Sequence, residues 1–166
     1  MSSYDRSHKR RRSETLNESE IKVYLSGKWD KVGEFENLRS IFVEDGYDVY
    51  DWSDAANRTC RLADQDQDIS DFLCDSNAFI LHYSDPDYSY SASRLQLGYM
   101  LLSGKPCIIY DTTPPDTNGE KFFPPMLDNL YENRLTTNSF HSNLFIADTL
   151  AQLKNILRAV CFNDRP

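Results

Sequence analysis

Ala78-Phe79-Ile80-Leu81-His82-Tyr83 is apolar on consecutive rather than alternate residues. A strand with one wet face alternates, so an unbroken apolar run implies burial on both faces, the environment of a parallel sheet covered by helices on each side. His82 interrupts the run and reads as a core or rim histidine with a hydrogen-bond partner. On the N-terminal side lies a polar, helix-like stretch (61–76) with Leu62, Ile69, Phe72 and Leu73 inward. On the C-terminal side a helix is expected at about 92–103, closing at Gly104, and then a strand at 107–110.

The alternation extends further in both directions. Residues 21–25 read as a first strand and 47–50 as a second. Between them 34–44 read as a helix with Phe35, Leu38, Ile41 and Phe42 on one face and Gly46 as its stop. Beyond Pro114, Pro115, Pro124 and Pro125, a strand is expected near 134–140. The last helix is expected at 145–160, with Leu150, Leu153, Ile156, Leu157 and Val160 on one side. Strands alternating with helices predict an α/β protein with a parallel sheet and helices on both faces.

A chain of 166 residues has room for one ordinary domain. With 40% apolar and 27% charged residues it can build a core in water, unlike a disordered or collagen-like chain. Residues 1–20 hold only Met1, Tyr4 and Leu16 as apolar side chains, so a disordered basic tail is expected before a single domain at 21–166. The tail carries five basic and four acidic of the chain's 18 and 26, leaving 13 and 22 for the remainder. A body that acidic repels a phosphate backbone, and no DNA or RNA partner is expected. The run His8-Lys9-Arg10-Arg11-Arg12 reads as a solvated tail or as a nuclear-import patch.

No apolar run approaches the length of a membrane span, and no secretory h-region is present at the start. Cys60, Cys74, Cys107 and Cys161 form no Cys-x-x-Cys pair, which fits free thiols in a reducing compartment and no thiolate zinc site. The expected location is therefore the cytoplasm, with nuclear entry open through the tail.

In such a sheet ligands bind beyond the carboxyl ends of the strands, where the strand order reverses. The loops after Leu25, Tyr50, Tyr83 and Tyr110 are the ones to inspect. Ser26-Gly27-Lys28-Trp29-Asp30 offers a glycine, a cation and a large ring, and 84–91 offer Asp85, Asp87, Tyr88, Tyr90 and several hydroxyls. Other motifs fail. Gly98 to Gly104-Lys105 has the wrong spacing for a phosphate loop and is followed by Pro106. Asp64-Gln65-Asp66-Gln67-Asp68 opens like a calcium loop but has Ile69 where that loop needs glycine. His8, His82 and His141 share no metal-ligand spacing, and no Gly-x-Ser-x-Gly elbow occurs. No metal and no cofactor is expected.

Two segments in the correct order resemble the nucleoside 2-deoxyribosyltransferase family, which includes nucleoside monophosphate N-glycosidases. Lys22-Val23-Tyr24-Leu25-Ser26-Gly27-Lys28-Trp29 is similar to that family's first strand and loop. Ser93-Arg94-Leu95-Gln96-Leu97-Gly98-Tyr99, followed by Gly104-Lys105-Pro106, is similar to its helix running into the fourth strand. The resemblance covers roughly 21–111. It implies a flavodoxin/Rossmann-like three-layer fold with a mostly parallel sheet of about five strands. It also implies a nucleoside or nucleoside 5′-monophosphate partner, and it allows a homo-oligomer, because members often complete each other's pockets.

The implied chemistry needs a carboxylate against the sugar and a proton donor for the departing base. In the family a glutamate in Glu-x-Gly supplies the carboxylate and a first-strand tyrosine orients it. Tyr24 matches the tyrosine, but Gln96 occupies the glutamate position. A carboxamide keeps the shape and loses the charge, so it can hold a ribose hydroxyl without acting as nucleophile. Asp85 or Asp87 could have taken over, or the glutamine could be a deliberate replacement. Ser26, Gly27 and Trp29 would then meet sugar and base, Asp68 is the nearest match to a base-contacting aspartate, and Tyr90 stands where the family has a second aspartate. Ser89, Ser91 and Ser93 with Arg94 suit a 5′-phosphate at a helix N-terminus, and Gly98 completes the motif.

Three functions stay open at this point. One is an N-glycosidase or deoxyribosyl transferase; the others are a nucleotide-binding module without turnover, and a protein-interaction domain using the tyrosine-rich loop.

Overall fold

The computed structural model describes residues 21–28, 33–56, 62–115, 117 and 143–162. Ala78–Tyr83 forms the central strand β3 and is buried at every position. The other strands are β1 (Lys22–Gly27), β2 (Asp48–Tyr50), β4 (Cys107–Asp111) and β5 (Leu144–Ala147). The helices are α1 (Glu34–Glu44), α2 (Trp52–Ala56), α3 (Leu62–Asp75), α4 (Ser91–Leu102) and α5 (Leu150–Phe162). All strand pairs are parallel and the sheet runs β2-β1-β3-β4-β5. This is an α/β protein of the flavodoxin/Rossmann-like kind.

Two apolar layers hold the helices to the sheet. Phe35, Leu38 and Phe42 of α1 and Leu153 and Leu157 of α5 pack with Leu25, Ile80 and Ile108 on one face. Phe72 and Leu73 of α3 and Leu97, Met100 and Leu101 of α4 pack with Tyr24, Phe79, Leu81 and Ile109 on the other. Alternate residues of β1 and β3 therefore feed opposite cores, as the continuous apolar run requires.

The expected elements need correction near the C-terminal end. The predicted strand at 134–140 lies outside the described residues, as do the tail (1–20) and Trp29, and the fifth strand of the sheet is Leu144–Ala147. Phe145 consequently belongs to a strand, paired with Ile108, and not to the final helix. The helix starts later because Thr149 and Gln152 cap it reciprocally. Thr149 Oγ1 accepts from the Gln152 amide at 3.2 Å, and Gln152 Oε1 accepts from the amides of Asp148 at 2.8 Å and Thr149 at 3.2 Å.

The short helix α2 had no periodic signal to announce it. It is set by Asp51 and Asp54 in the same way: Asp51 Oδ1 accepts from the Ser53 amide at 2.7 Å, and Asp54 Oδ2 accepts from the Asp51 amide at 2.9 Å. Thr149→Ala is expected to cost about 1 kcal/mol, the usual loss for an N-cap. Urea denaturation measures it, and an unchanged midpoint would mean that the cap does not set the start of α5.

Candidate functional site at the carboxyl edge of the sheet

In the order β2-β1-β3-β4-β5 the chain leaves β1 for α1 on one face and leaves β3 for α4 on the other. The strand order therefore reverses between the ends of β1 and β3, the usual ligand position in such sheets. Gly27 lies at the end of β1. A Cβ there would stand 2.8 Å from the His82 carbonyl oxygen, so glycine is demanded by the neighbouring strand.

On the α4 side, side chains from β1 and α4 meet. Ser26 Oγ lies 2.8 Å from Ser93 Oγ and donates to Gln96 Oε1 at 2.7 Å. Ser26 and Ser93 are buried, and Gln96 is half-buried. The Tyr24 ring stacks on Phe79 with centroids 6.0 Å apart. Burial, and then the Asp51 and Asp54 carboxylates, push its phenol well above the ordinary tyrosine value. The neighbouring Gln96 side chain opposes a little of that shift, but no hydrogen bond of proper geometry joins them, and the Tyr24 hydroxyl is buried without a partner among the described residues. Among the described residues the Gln96 carboxamide oxygen thus accepts from Ser26, Ser93 bonds Ser26 in turn, and the Tyr24 hydroxyl is left over.

Asp51 and Asp54 escaped the sequence reasoning, although they open the loop after Tyr50. Asp51 is buried and paired with Arg39 of α1, whose guanidinium also reaches Asp54 Oδ1 at 3.4 Å and the Val49 carbonyl at 3.3 Å. The available signal was Asp-x-x-Asp at the carboxyl end of a strand, the spacing of a reciprocal cap.

The loop after β3 is held from within. Tyr90 is the N-terminal residue before α4, with φ of 52°, and its buried hydroxyl accepts from the amides of Ser84 at 3.0 Å and Asp85 at 2.9 Å. Its hydrogen-bonding capacity therefore serves the loop. Asp85 pairs with Lys28 at 2.8 Å and accepts from the Asp87 amide at 2.9 Å, and these contacts hold its carboxyl below the ordinary range. Lys28 also lies 5.8 Å from the centre of the Tyr88 ring.

Asp87 is exposed, and Ser91 donates to Ser89 at 3.1 Å on the surface. Gly98 lies further along α4, with open space beside it. Asp68 is half-buried on α3, and among the described residues no hydrogen bond or ion pair joins it to Ser26, Ser93 or Gln96.

On the opposite face His82 bonds Thr112 Oγ1 at 2.9 Å and stacks on Tyr110 at 5.1 Å. Glu34 Oε2 stands 3.9 Å away, but it is exposed, and burial lowers the imidazole to about 4. The ring is therefore neutral at pH 7 and the contact is not an ion pair. Among the described residues no three His, Cys, Asp or Glu side chains converge as metal ligands, and no helix is long and apolar enough to cross a membrane.

These features define a parallel α/β domain with a polar, hydroxyl-rich site at its strand-order reversal. Comparison with protein-family models and with curated proteins gives no match to the chain.

Two outcomes follow from the site's electrostatics. The unfolded chain protonates His82 near 6.5 while the native ring stays neutral to about 4, so this residue's contribution is complete above pH 6.5 and is lost as pH falls toward 4. The loss should be about 3 kcal/mol, read as the difference between wild type and His82→Gln in urea titrations at the two ends of that window; parallel profiles would refute it. Tyr24→Phe should be neutral or slightly stabilising here, because it removes an unpaired hydroxyl. In a Gln96→Glu background the same change should cost about 1 kcal/mol, since a carboxylate would give that hydroxyl an acceptor. A double-mutant cycle without coupling would sink this account.

Proposed function

We propose that the chain binds a nucleoside or nucleoside 5′-monophosphate at the carboxyl edge of its sheet, as the resemblance to nucleoside 2-deoxyribosyltransferases implies, and that Gln96 weakens or abolishes cleavage of the N-glycosidic bond. The observation that carries this reading is the run of hydroxyls leading to residue 96: Ser26 donates to Gln96 Oε1, Ser93 bonds Ser26, and the Tyr24 hydroxyl is buried without a partner among the described residues. Such a donor set suits a carboxylate, which has two oxygens and several acceptor positions; a carboxamide leaves one hydroxyl over.

A glutamate at this position would attack C1′ of the sugar as the C1′–N bond breaks, and the base would leave with a proton. Water would then release the sugar from the glycosyl ester. Gln96 keeps the acceptor oxygen for a ribose hydroxyl but has no carboxylate to form that ester. Asp85 is a weaker substitute, because Lys28 and the Asp87 amide already engage its oxygens.

The test is base release from a panel of ribo- and deoxyribonucleosides and their 5′-monophosphates, followed by chromatography, together with thermal unfolding. The unaltered chain should be inert yet gain about 5 °C in Tm with a saturating ligand. Gln96→Glu should release base at least about tenfold faster. Turnover by the unaltered chain that disappears in Asp85→Asn would move the chemistry to Asp85. No ligand-induced stabilisation and no turnover in either protein would end the nucleotide reading.

A further inference from the structure

The strand order sets β1, which carries Tyr24 and Ser26, between β2 and β3. Both flanking strands end in acidic loops. Asp51 and Asp54 follow β2, and Tyr24 is register-paired with Tyr50, the residue before Asp51. Asp85 and Asp87 follow β3. Two cations answer these four carboxylates: Arg39 pairs with Asp51 and reaches Asp54, and Lys28 pairs with Asp85 at 2.8 Å. Arg94 of α4 is offset in charge by Asp111, the last residue of β4. Among the described residues the edge around β1 is therefore negative, in a chain whose net charge is −8.

Gln96 brings no charge to this field where it bonds Ser26. The Tyr24 hydroxyl, on a residue 1% exposed, is buried without an acceptor among the described residues. No three side chains there converge as metal ligands, so the carboxylates are not arranged around an ion. The hydroxyl calls for an acceptor, which a sugar oxygen supplies, and the carboxylates call for positive charge on the ligand itself. We propose that this site selects nucleosides whose base is a cation, as in a pyridinium ribonucleoside. The proposal rests on the nucleoside reading for the sugar and goes beyond it for the base.

The same class suits the chemistry left to a site with glutamine at 96. A neutral base must take up a proton as it departs. The titratable groups at this site do not offer one. Lys28 keeps Asp85 ionised, burial keeps the proton on Tyr24, and His82 lies on the opposite face. A pyridinium base needs no proton. The C1′–N electron pair passes to the ring nitrogen and the base leaves neutral; water adds to C1′ and releases its proton to solvent.

Nicotinamide riboside is the probe, and its reduced dihydro form, close in shape and neutral, is the control. Calorimetric titration of the full chain should show the cation bound about tenfold more tightly than the neutral form at about 50 mM salt, with the preference shrinking at about 500 mM. Asp54→Asn and, separately, Asp85→Asn should each narrow the preference about threefold by weakening the cation alone. Circular dichroism checks that each variant is folded, and Asp85 lies on a loop where its replacement removes no core contact. Free nicotinamide, followed by chromatography, should accumulate with the unaltered chain above its rate in buffer.

Equal affinity for the two forms overturns the proposal and leaves the nucleoside reading in place, as does a preference that neither salt nor either variant narrows. Binding without release of nicotinamide overturns the cleavage step. Failure to bind either form or any neutral nucleoside ends the proposal and the nucleoside reading together.

Discussion

The parallel pairing of Val23–Gly27 with Ala78–His82 is the constraint on which the rest of the architecture hangs. The chain leaves β1 toward one face and β3 toward the other, which makes the ends of these two strands the strand-order reversal of the sheet. Their closeness requires Gly27, since the His82 carbonyl occupies the space a Cβ would need. The same pairing fixes which side chains meet. Tyr24 and Ser26 point to the α4 face, where Ser93 and Gln96 receive them, while His82 points to the α1 face and bonds Thr112. A one-residue slip would exchange the two sets and scatter the site.

Much of this order could be read from the chain. Ala78–Tyr83 and Glu34–Glu44 have strong periods, apolar run in one and helical stripe in the other, and the structure gives those bounds unchanged. The start of α5 was misplaced because Phe145 and Leu150 fit a helical stripe by spacing, while the reciprocal Thr149–Gln152 cap that stops the helix short of Phe145 is carried by polar residues. The same blindness hid α2, whose only signal is Asp51 and Asp54. Periodicity reports burial, and these elements are set by hydrogen bonds to backbone amides instead.

At the site, residue types were legible and their engagements were not. Tyr90 appears in the sequence as one more exposed-loop tyrosine, yet its hydroxyl holds two amides of the loop and its ring is buried. Asp85 appears as a free carboxylate, yet Lys28, far away in sequence, holds it. Arg39 gave no sign at all, because its role depends on β2 bringing Asp51 beside α1. Each of these contacts links residues from different elements or closes a loop, and no local pattern encodes it.

The carboxamide at position 96 is the point where these two kinds of information meet. Burial, and then Asp51 and Asp54, raise the proton affinity of Tyr24, so a carboxylate beside Tyr24 would stand in the same desolvated and negative surroundings. The hydroxyls of Ser26 and Tyr24 would work in the opposite direction, because hydrogen bonds donated to an ionised group favour its charged form. Glutamine removes that contest: it bonds Ser26 through Oε1, adds no charge, and leaves the Tyr24 proton without an acceptor. Placing a neutral sugar hydroxyl against this group costs no ionic desolvation, whereas forming a bond to C1′ needs the electron pair that only the carboxylate supplies. The position therefore separates binding from bond cleavage, with one atom, nitrogen in place of oxygen, as the difference.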